Sequence, residues 1–256
     1  DAYVFGQISA NHSLSDLFAM GAAAQSALAI ATIPYGIESK VEDTVRQLMA
    51  GAMKVLEDAG AALVGGHTSE GAELALGFSA HGLIDKDRVL RKGGMMPGDR
   101  LILTKALGTG TLFAADMQQK AKGRWIQDAL KSMLLSNRVA ASLVYEHGAT
   151  ACTDITGFGL LGHLVEMIRP SEVDVDIHMD RLPILDGAEE TVEMGILSSL
   201  QPANIRLRRA IRNREDAVQS NRFPLIFDPQ TSGGLLASVP AAQADTCVEA
   251  LHAAGF

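Results

Sequence analysis

Two aspartates occupy sequence settings in which a carboxylate could bind a metal ion. Asp16 lies in the apolar residues 15–22 (SDLFAMGA), where burying a charge is costly unless it is paired or metal-bound. An exposed helix carboxylate explains this segment equally well. Asp154 ends an expected strand, and residues 157–159 (GFG) then open a helix. A carboxylate there could hold a metal ion while the helix N-terminus faces phosphate oxygens, or it could cap the helix.

Two glycine-containing segments could bind anions through backbone N–H groups. Residues 65–71 (GGHTSEG) follow an expected strand, and their glycines allow consecutive N–H groups to point at an anion, with Thr68 and Ser69 adding hydroxyl groups. No Gly-Lys-Ser/Thr follows, so this is not a Walker loop, and an ordinary glycine-rich turn is the alternative. Residues 228–236 (DPQTSGGLL) are another turn with small donors before a strand, which alone is typical of a β-turn.

Composition excludes several classes of protein. The 256 residues carry a formal net charge of −8, which argues against nucleic-acid binding because that requires clustered Lys and Arg. A nucleotide is compatible with this charge, since Mg²⁺ can lie between carboxylates and phosphates. We find no apolar run of membrane-spanning length and no signal peptide. Cys152 and Cys247 lack CxxC spacing, so we expect no disulfide or zinc site and a cytoplasmic location.

Hydrophobic periodicity predicts an α+β fold of two domains, residues 1–92 and 93–256, separated by a polar, turn-rich boundary at residues 85–99. The chain does not begin with Met, and a segment with regular hydrophobic patterning follows at once, which indicates a truncated chain. We also expect the second domain to be incomplete at its end. The helices are expected at residues 7–22, 38–59, 110–119, 125–147, 160–168, 185–195 and 204–219 and from residue 241. The strands are expected at residues 27–33, 61–64, 73–84, 101–103, 149–155, 173–177, 225–227 and 235–239.

Taken together, in this order and at these distances, the four segments resemble selenophosphate synthetase (selenide, water dikinase). That family belongs to a superfamily with aminoimidazole ribonucleotide synthetase, thiamine-monophosphate kinase and a hydrogenase maturation enzyme. The resemblance covers essentially the whole chain. Residues 153–159 (TDITGFG) and 230–235 (QTSGGL) favour this family over its relatives.

The resemblance implies an aminoimidazole ribonucleotide synthetase-like fold, with helices packed on mixed sheets and a homodimer formed through the N-terminal domain. It implies ATP in a groove with Mg²⁺ ions on its phosphates, and it assigns Asp16 and Asp154 as metal ligands. The residues it assigns to nucleotide contact, in a dimer at the partner's site, are Gly65, Gly66, His67 and Thr68. The family's Cys (or selenocysteine) and Lys loop and two further metal aspartates would lie upstream of Asp1, so we expect no catalytic residue in this chain.

The implied reaction converts ATP, selenide and water into selenophosphate, AMP and phosphate, and Mg²⁺ would offset the repulsion between the anions that react. Without the upstream loop we expect the chain alone to be inactive. Residues 11–16 (NHSLSD) resemble the branch in which the synthetase is fused behind a pyridine-nucleotide-disulfide oxidoreductase. The alternatives are a sibling ATP-dependent enzyme of the superfamily, of the thiamine-monophosphate kinase or hydrogenase maturation type, and a non-catalytic dimerisation module of a fused protein.

Overall fold

The computed structural model describes residues 1–256, which form two compact units. The first consists of Asp1–Val89 with Ser136–Arg138, and the second of Leu90–Leu135 with Val139–Phe256. Both units combine helices with a three-stranded sheet, which confirms the α+β class. None of the helices combines the length and apolar character that a membrane-spanning segment needs.

The first unit is a sheet with two helices packed on it. Its elements in chain order are α1 (Ala2–Ala19), β1 (Ala23–Pro34), α2 (Glu38–Ala59), β2 (Ala62–Gly71) and β3 (Ala75–Leu83). The central strand β1 is parallel to β2 and antiparallel to β3. Because side chains alternate along a strand, Ala31 and Ile33 face the helices, where they pack against Leu48.

The opposite side of β1 carries apolar side chains that nothing in the unit covers. Leu28 and Ile30 alternate with the buried Ala27, Ala29 and Ala31, and they are 38% and 59% exposed. A sheet with one helix-covered face normally turns polar residues outward. This apolar outer face is therefore a surface that favours contact with another molecule.

The second unit is built on an antiparallel sheet in the order β4–β6–β5. Its elements are β4 (Arg100–Leu103), α3 (Thr109–Met117), α4 (Gly123–Leu134), α5 (Asn137–Glu146, whose first two residues belong to the first unit), β5 (Ala151–Asp154), α6 (Gly159–Ser171), α7 (Ala188–Glu193), α8 (Gln201–Asn204), α9 (Arg214–Ala217), β6 (Leu235–Val239) and α10 (Ala241–Ala253). Short 3-10 helices lie at Lys86–Arg88, at the end of the first unit, and at Met179–Arg181, Ile205–Ala210 and Phe223–Phe227. Leu164 of α6, Phe227 and Leu236 of β6 belong to one buried cluster, so α6 packs on the sheet.

Four predicted elements of this unit are wrong, three of them in segments that are helical in the structure. The helix expected at residues 125–147 is interrupted between α4 and α5, where Leu135 has an extended backbone and Ser136 Oγ accepts from the N–H of Arg138 at 3.4 Å, the bond of an N-cap. The helix expected at residues 204–219 is instead a 3-10 helix followed by α9, and α8 ends where it was expected to begin. The strand expected at residues 225–227 is part of a 3-10 helix with a proline in its first turn.

The strand expected at residues 173–177 is also wrong, although the burial pattern that predicted it is present. Val173, Val175 and Ile177 pack against the core while the residues between them are exposed, yet no backbone hydrogen bond joins the segment to a strand. Periodic burial alone therefore does not require a sheet partner. A cavity of about 1180 Å³ lies between this segment and β4, whose outer edge also pairs with no strand.

Candidate functional site

The Asp154 turn, residues 154–158, joins β5 to α6. All four residues of β5 are buried, and Asp154 at its end is 4% exposed. The N-cap residue of α6 is Phe158 rather than Asp154, and Phe158 makes no side-chain capping bond. The turn therefore places a buried carboxylate five residues before the first residue of a 13-residue helix, whose N-terminus carries a partial positive charge.

His163 fixes this turn from inside α6. The backbone N–H of Thr156 donates to His163 Nε2 at 3.1 Å, and Thr156 Oγ1 lies 3.1 Å from the same nitrogen. Because Nε2 accepts from a backbone amide, it carries no proton in this arrangement. The position of His163, buried and bonded to the turn, agrees with a structural role for this side chain.

A second segment, the 228–234 loop, packs against the Asp154 turn. Gln230 is 3% exposed, and its backbone N–H donates to Thr156 O at 3.0 Å. The N–H of Ile155 donates to Gly234 O at 2.8 Å. Sequence reasoning recognised this loop as a turn, but it gave no role to Gln230.

Two side chains of the 228–234 loop satisfy the N–H groups that begin α3. Gln230 Oε1 accepts from the backbone N–H groups of Gly108 and Thr109 at 3.0 and 3.2 Å, and from Thr109 Oγ1 at 3.1 Å. Asp228 Oδ2 accepts from Gly110 N at 3.0 Å and from Gln230 Nε2 at 2.9 Å. The first N–H groups of a helix have no partner inside it. The loop thus caps α3 from a distant part of the chain.

Asp228 and Lys105 are buried ionisable residues that sequence reasoning missed. Asp228 is 1% exposed, and burial raises the pKa of its carboxyl group to about 7, although hydrogen bonds from Gln230 and Gly110 oppose the shift. Lys105 Nζ donates to Leu135 O at 2.6 Å and to Ser232 O at 3.1 Å, and burial lowers the pKa of this ammonium group to about 7. A lysine between two apolar runs, residues 101–103 and 106–107, was the available signal.

Asp16 lies in the first unit, near the end of α1. Its side chain is exposed, while the neighbouring Ser15 is buried and its Oγ accepts from Asn137 Nδ2 at 2.9 Å. Asp16 is therefore an exposed helix carboxylate, as one of the two sequence interpretations predicted. An exposed carboxylate is accessible to a metal ion, so the position is also compatible with the assignment that the family resemblance implies.

Gly65, Gly66, His67 and Thr68 do not form the loop that the sequence predicted. They lie inside β2, where His67 pairs with Ile30 and Thr68 with Ala31 of β1. Two consecutive glycines suggested a loop, but in the structure they lie where β2 pairs closely with β1. The register shifts at this point, and a Cβ on Gly66 would overlap the carbonyl oxygen of Ala29. Since successive side chains of a strand point to opposite faces, His67 and Thr68 do not share one face.

The donor atoms of the chain fit Mg²⁺ in chemistry but do not form a complete protein cage. No group of three or more His, Cys, Asp and Glu side chains is placed to hold a metal ion. Mg²⁺ does not need such a group, because it prefers carboxylate oxygens and usually binds through one or two of them together with water and substrate phosphates. Asp154 supplies a carboxylate of this kind, and Mg²⁺ would have to share it with a phosphate-bearing ligand.

Two models of one protein family match the chain. The AIR synthase related protein, N-terminal domain, matches residues 1–84, and the AIR synthase related protein, C-terminal domain, matches residues 96–256. Among solved structures, hydrogenase maturation protein HypE in complex with ATP is 16% identical, with a TM-score of 0.73 over 96% of this chain and 66% of that protein. Thiamine-monophosphate kinase from Stenotrophomonas maltophilia K279a is 23% identical, with a TM-score of 0.71 over 99% of this chain and 73% of that protein. These structures confirm the expected fold.

Curated relatives have higher sequence identity to this chain than the proteins of those structures. A protein of Geobacter metallireducens named "Selenide, water dikinase" is 40% identical over 254 residues, which is 96% of this chain and 71% of that protein. A protein of the same name from Pelobacter propionicus is 39% identical over 100% of this chain and 73% of its own length. The resemblance found in the four sequence segments is confirmed, and the chain belongs to the selenide, water dikinase family.

Proposed function

We propose that this chain is the nucleotide- and Mg²⁺-binding body of a selenide, water dikinase, an ATP-dependent phosphotransferase. The reaction would convert ATP, selenide and water into selenophosphate, AMP and phosphate. Family membership supports the proposal, as does the shared fold of HypE, which has been solved with ATP. The observation that carries it is the Asp154 turn, where a buried carboxylate lies five residues before the first residue of α6.

Each part of this turn has a distinct task in the proposal. Asp154 would hold Mg²⁺ through its carboxylate oxygens, and the N–H groups that begin α6 would donate to phosphate oxygens. When bound, Mg²⁺ offsets the negative charge of the phosphates during transfer. In the first unit, Asp16 is proposed as a further Mg²⁺ ligand. For the nucleotide we propose contacts with Gly65, Gly66, His67 and Thr68, which lie on the edge strand of their sheet.

The binding proposal is tested by calorimetric titration of ATP into the chain with and without Mg²⁺. We expect Mg²⁺-dependent binding that Asp154→Asn abolishes, because the amide lacks the charge that holds the ion. Asp176→Asn is the matched control, since Asp176 is an exposed aspartate of the same unit outside the turn. Equal binding by the wild type and Asp154→Asn would contradict the proposal.

The substrate class is tested separately, with phosphate-transfer assays on the natural full-length protein, because the chain alone is expected to be inactive. Selenide-dependent formation of AMP from ATP supports a dikinase, whereas transfer of one phosphate from ATP to thiamine monophosphate supports the sibling kinase. The HypE and thiamine-monophosphate kinase structures share the fold at under 25% identity, so they favour neither substrate. Cys152 and Cys247 are free and buried thiols, which supports the proposed cytoplasmic location.

We also propose that two copies of the chain associate through the apolar outer face of the first unit's sheet. Leu28 and Ile30 on β1 are exposed there, and Val64 of the neighbouring β2 is 63% exposed. Burying these side chains against a second copy would remove apolar surface from water. Light scattering after gel filtration should show a dimer that Ile30→Glu dissociates, while Thr44→Glu on α2 should leave it intact; a wild-type monomer contradicts this proposal.

A further inference from the structure

Gln230 is the point at which α3, the 228–234 loop and the Asp154 turn meet. Its side-chain oxygen accepts three hydrogen bonds from Gly108 and Thr109, and its side-chain nitrogen donates to Asp228 O at 2.8 Å and to Asp228 Oδ2 at 2.9 Å. Its backbone N–H donates to Thr156 O in the Asp154 turn at 3.0 Å. All the hydrogen-bonding capacity of this buried amide group is therefore used.

The contact between the 228–234 loop and the Asp154 turn leaves little freedom to either. Ile155 N donates to Gly234 O at 2.8 Å, directly after Asp154. A Cβ on Gly233 would overlap the carbonyl oxygen of Ile155, so the two backbones touch. A displacement of the loop would therefore displace the backbone that carries the Asp154 carboxylate.

The 228–234 loop is itself held at several points. Ser232 has a φ of +49°, a conformation that non-glycine residues adopt only when the surroundings require it. Its Oγ donates to Met133 O at 2.7 Å, and its carbonyl oxygen accepts from Lys105 Nζ at 3.1 Å. The N–H of Thr231 donates to Thr109 Oγ1 at 3.1 Å. Gln230 is the link that transmits this fixed position from α3 to the Asp154 turn.

We infer that Gln230 is a positioning residue for Asp154: through its bonds to α3, Asp228 and Thr156 it fixes the carboxylate that binds the metal ion. Its functional consequence rests on the proposed role of Asp154 in Mg²⁺ binding. Residues that orient metal ligands typically change metal affinity about 10- to 100-fold when they are substituted. Neither His163 nor Asn204, which also bond to the turn, connects it to α3.

The test compares two substitutions of Gln230 with one matched control in the 256-residue chain. Gln230→Met removes every side-chain bond, and Gln230→Glu keeps an oxygen for α3 but places a second oxygen against Asp228. Thr111→Val is the control, because the buried hydroxyl group of Thr111 in the same helix bonds to Thr191 Oγ1 at 2.9 Å and Ile196 O at 2.7 Å, away from the turn. The control thus breaks a buried polar contact of α3 without touching the Asp154 turn.

Two measurements read out the position of the turn. Hydrogen exchange of the Ile155 amide should become at least about tenfold faster in both Gln230 variants and stay unchanged in Thr111→Val, since only the former lose the fixed contact. Electron paramagnetic resonance of Mn²⁺ with a non-hydrolysable ATP analogue should show affinity lower by about 10- to 100-fold in the Gln230 variants and unchanged in the control.

The outcomes separate the two proposals. Unchanged Ile155 exchange in Gln230→Met, or equal acceleration in Thr111→Val, overturns the positioning role. If the wild type binds no Mn²⁺ in a manner that depends on Asp154, the proposed function fails while the exchange experiment still decides the positioning role. If Gln230→Met does not fold, Thr109→Val removes the hydroxyl group that bonds to Gln230 and should accelerate Ile155 exchange to a smaller extent, and Thr109→Ser should restore the wild-type rate.

Discussion

Replacing Asp228 by Asn should change how the stability of the second unit depends on pH. The carboxyl group is 1% exposed and its Oδ1 has no hydrogen-bond partner, so the folded chain favours the protonated form. Burial raises its pKa from 3.8 to about 7. The stabilisation that protonation gives is complete below the unfolded pKa and is lost as the pH rises through the folded pKa. Asn has the same shape and no titration, and its oxygen can still accept from Gly110.

The magnitude follows from the size of this shift. At about 1.36 kcal/mol per pKa unit, a shift from 3.8 to about 7 corresponds to about 4 kcal/mol between pH 4 and pH 7. The free energy of unfolding of the wild type should therefore fall relative to that of Asp228→Asn by about this amount across the window. The difference between the two proteins removes the contributions of all other titrating groups.

The assay is urea unfolding followed by the fluorescence of Trp125, the single tryptophan, which is buried in the second unit. Measuring the wild type and Asp228→Asn at half-unit steps from pH 4 to pH 8 gives the difference curve. Asp176→Asn, an exposed substitution in the same unit, should run parallel to the wild type. Parallel curves for Asp228→Asn and the wild type across the whole window would refute the reasoning.

Three further substitutions test other parts of the structure. Because burial lowers the pKa of Lys105 to about 7, wild-type stability should rise between about pH 7 and pH 10, and Lys105→Met should lack this rise in the same urea assay. Gly66→Ala should accelerate hydrogen exchange along β2, since its Cβ would overlap Ala29 O, whereas Gly77→Ala, which meets no atom within 4 Å, should not. Arg212→Ala should lower the free energy of unfolding by less than about 1 kcal/mol, because its ion pair with an aspartate is exposed; a larger loss would show that this pair is more than a surface contact.

The elements that sequence reasoning predicted well are those whose signal is local. The apolar stripe of residues 38–59 and the following Gly60 predicted α2 with its observed bounds. The apolar run at residues 235–239 likewise predicted β6. Some failures come from partners that are distant in the chain, whereas the break before α5 and the 3-10 helix at residues 223–227 follow from local residues, Ser136 and Pro224. Gly66 indicated a turn, but its need for glycine arises from Ala29 on a neighbouring strand.

The residues of the candidate site show the same contrast between local signals and distant partners. Asp154 stood out because a strand end and a glycine-rich helix start flank it, a pattern that is visible within a few residues. Gln230 did not, because the residues that it binds at the start of α3 lie 121 and 122 positions away. A glutamine becomes informative only when the fold shows that every atom of its amide group has a partner.

The unpaired edge of β4 and the facing segment of residues 173–177 have a consequence for how the chain behaves at high concentration. Both present unused backbone donors and acceptors to the same cavity, and such edges take up extended polypeptide from other molecules. Prolonged storage of concentrated samples should therefore favour intermolecular strand pairing in the second unit.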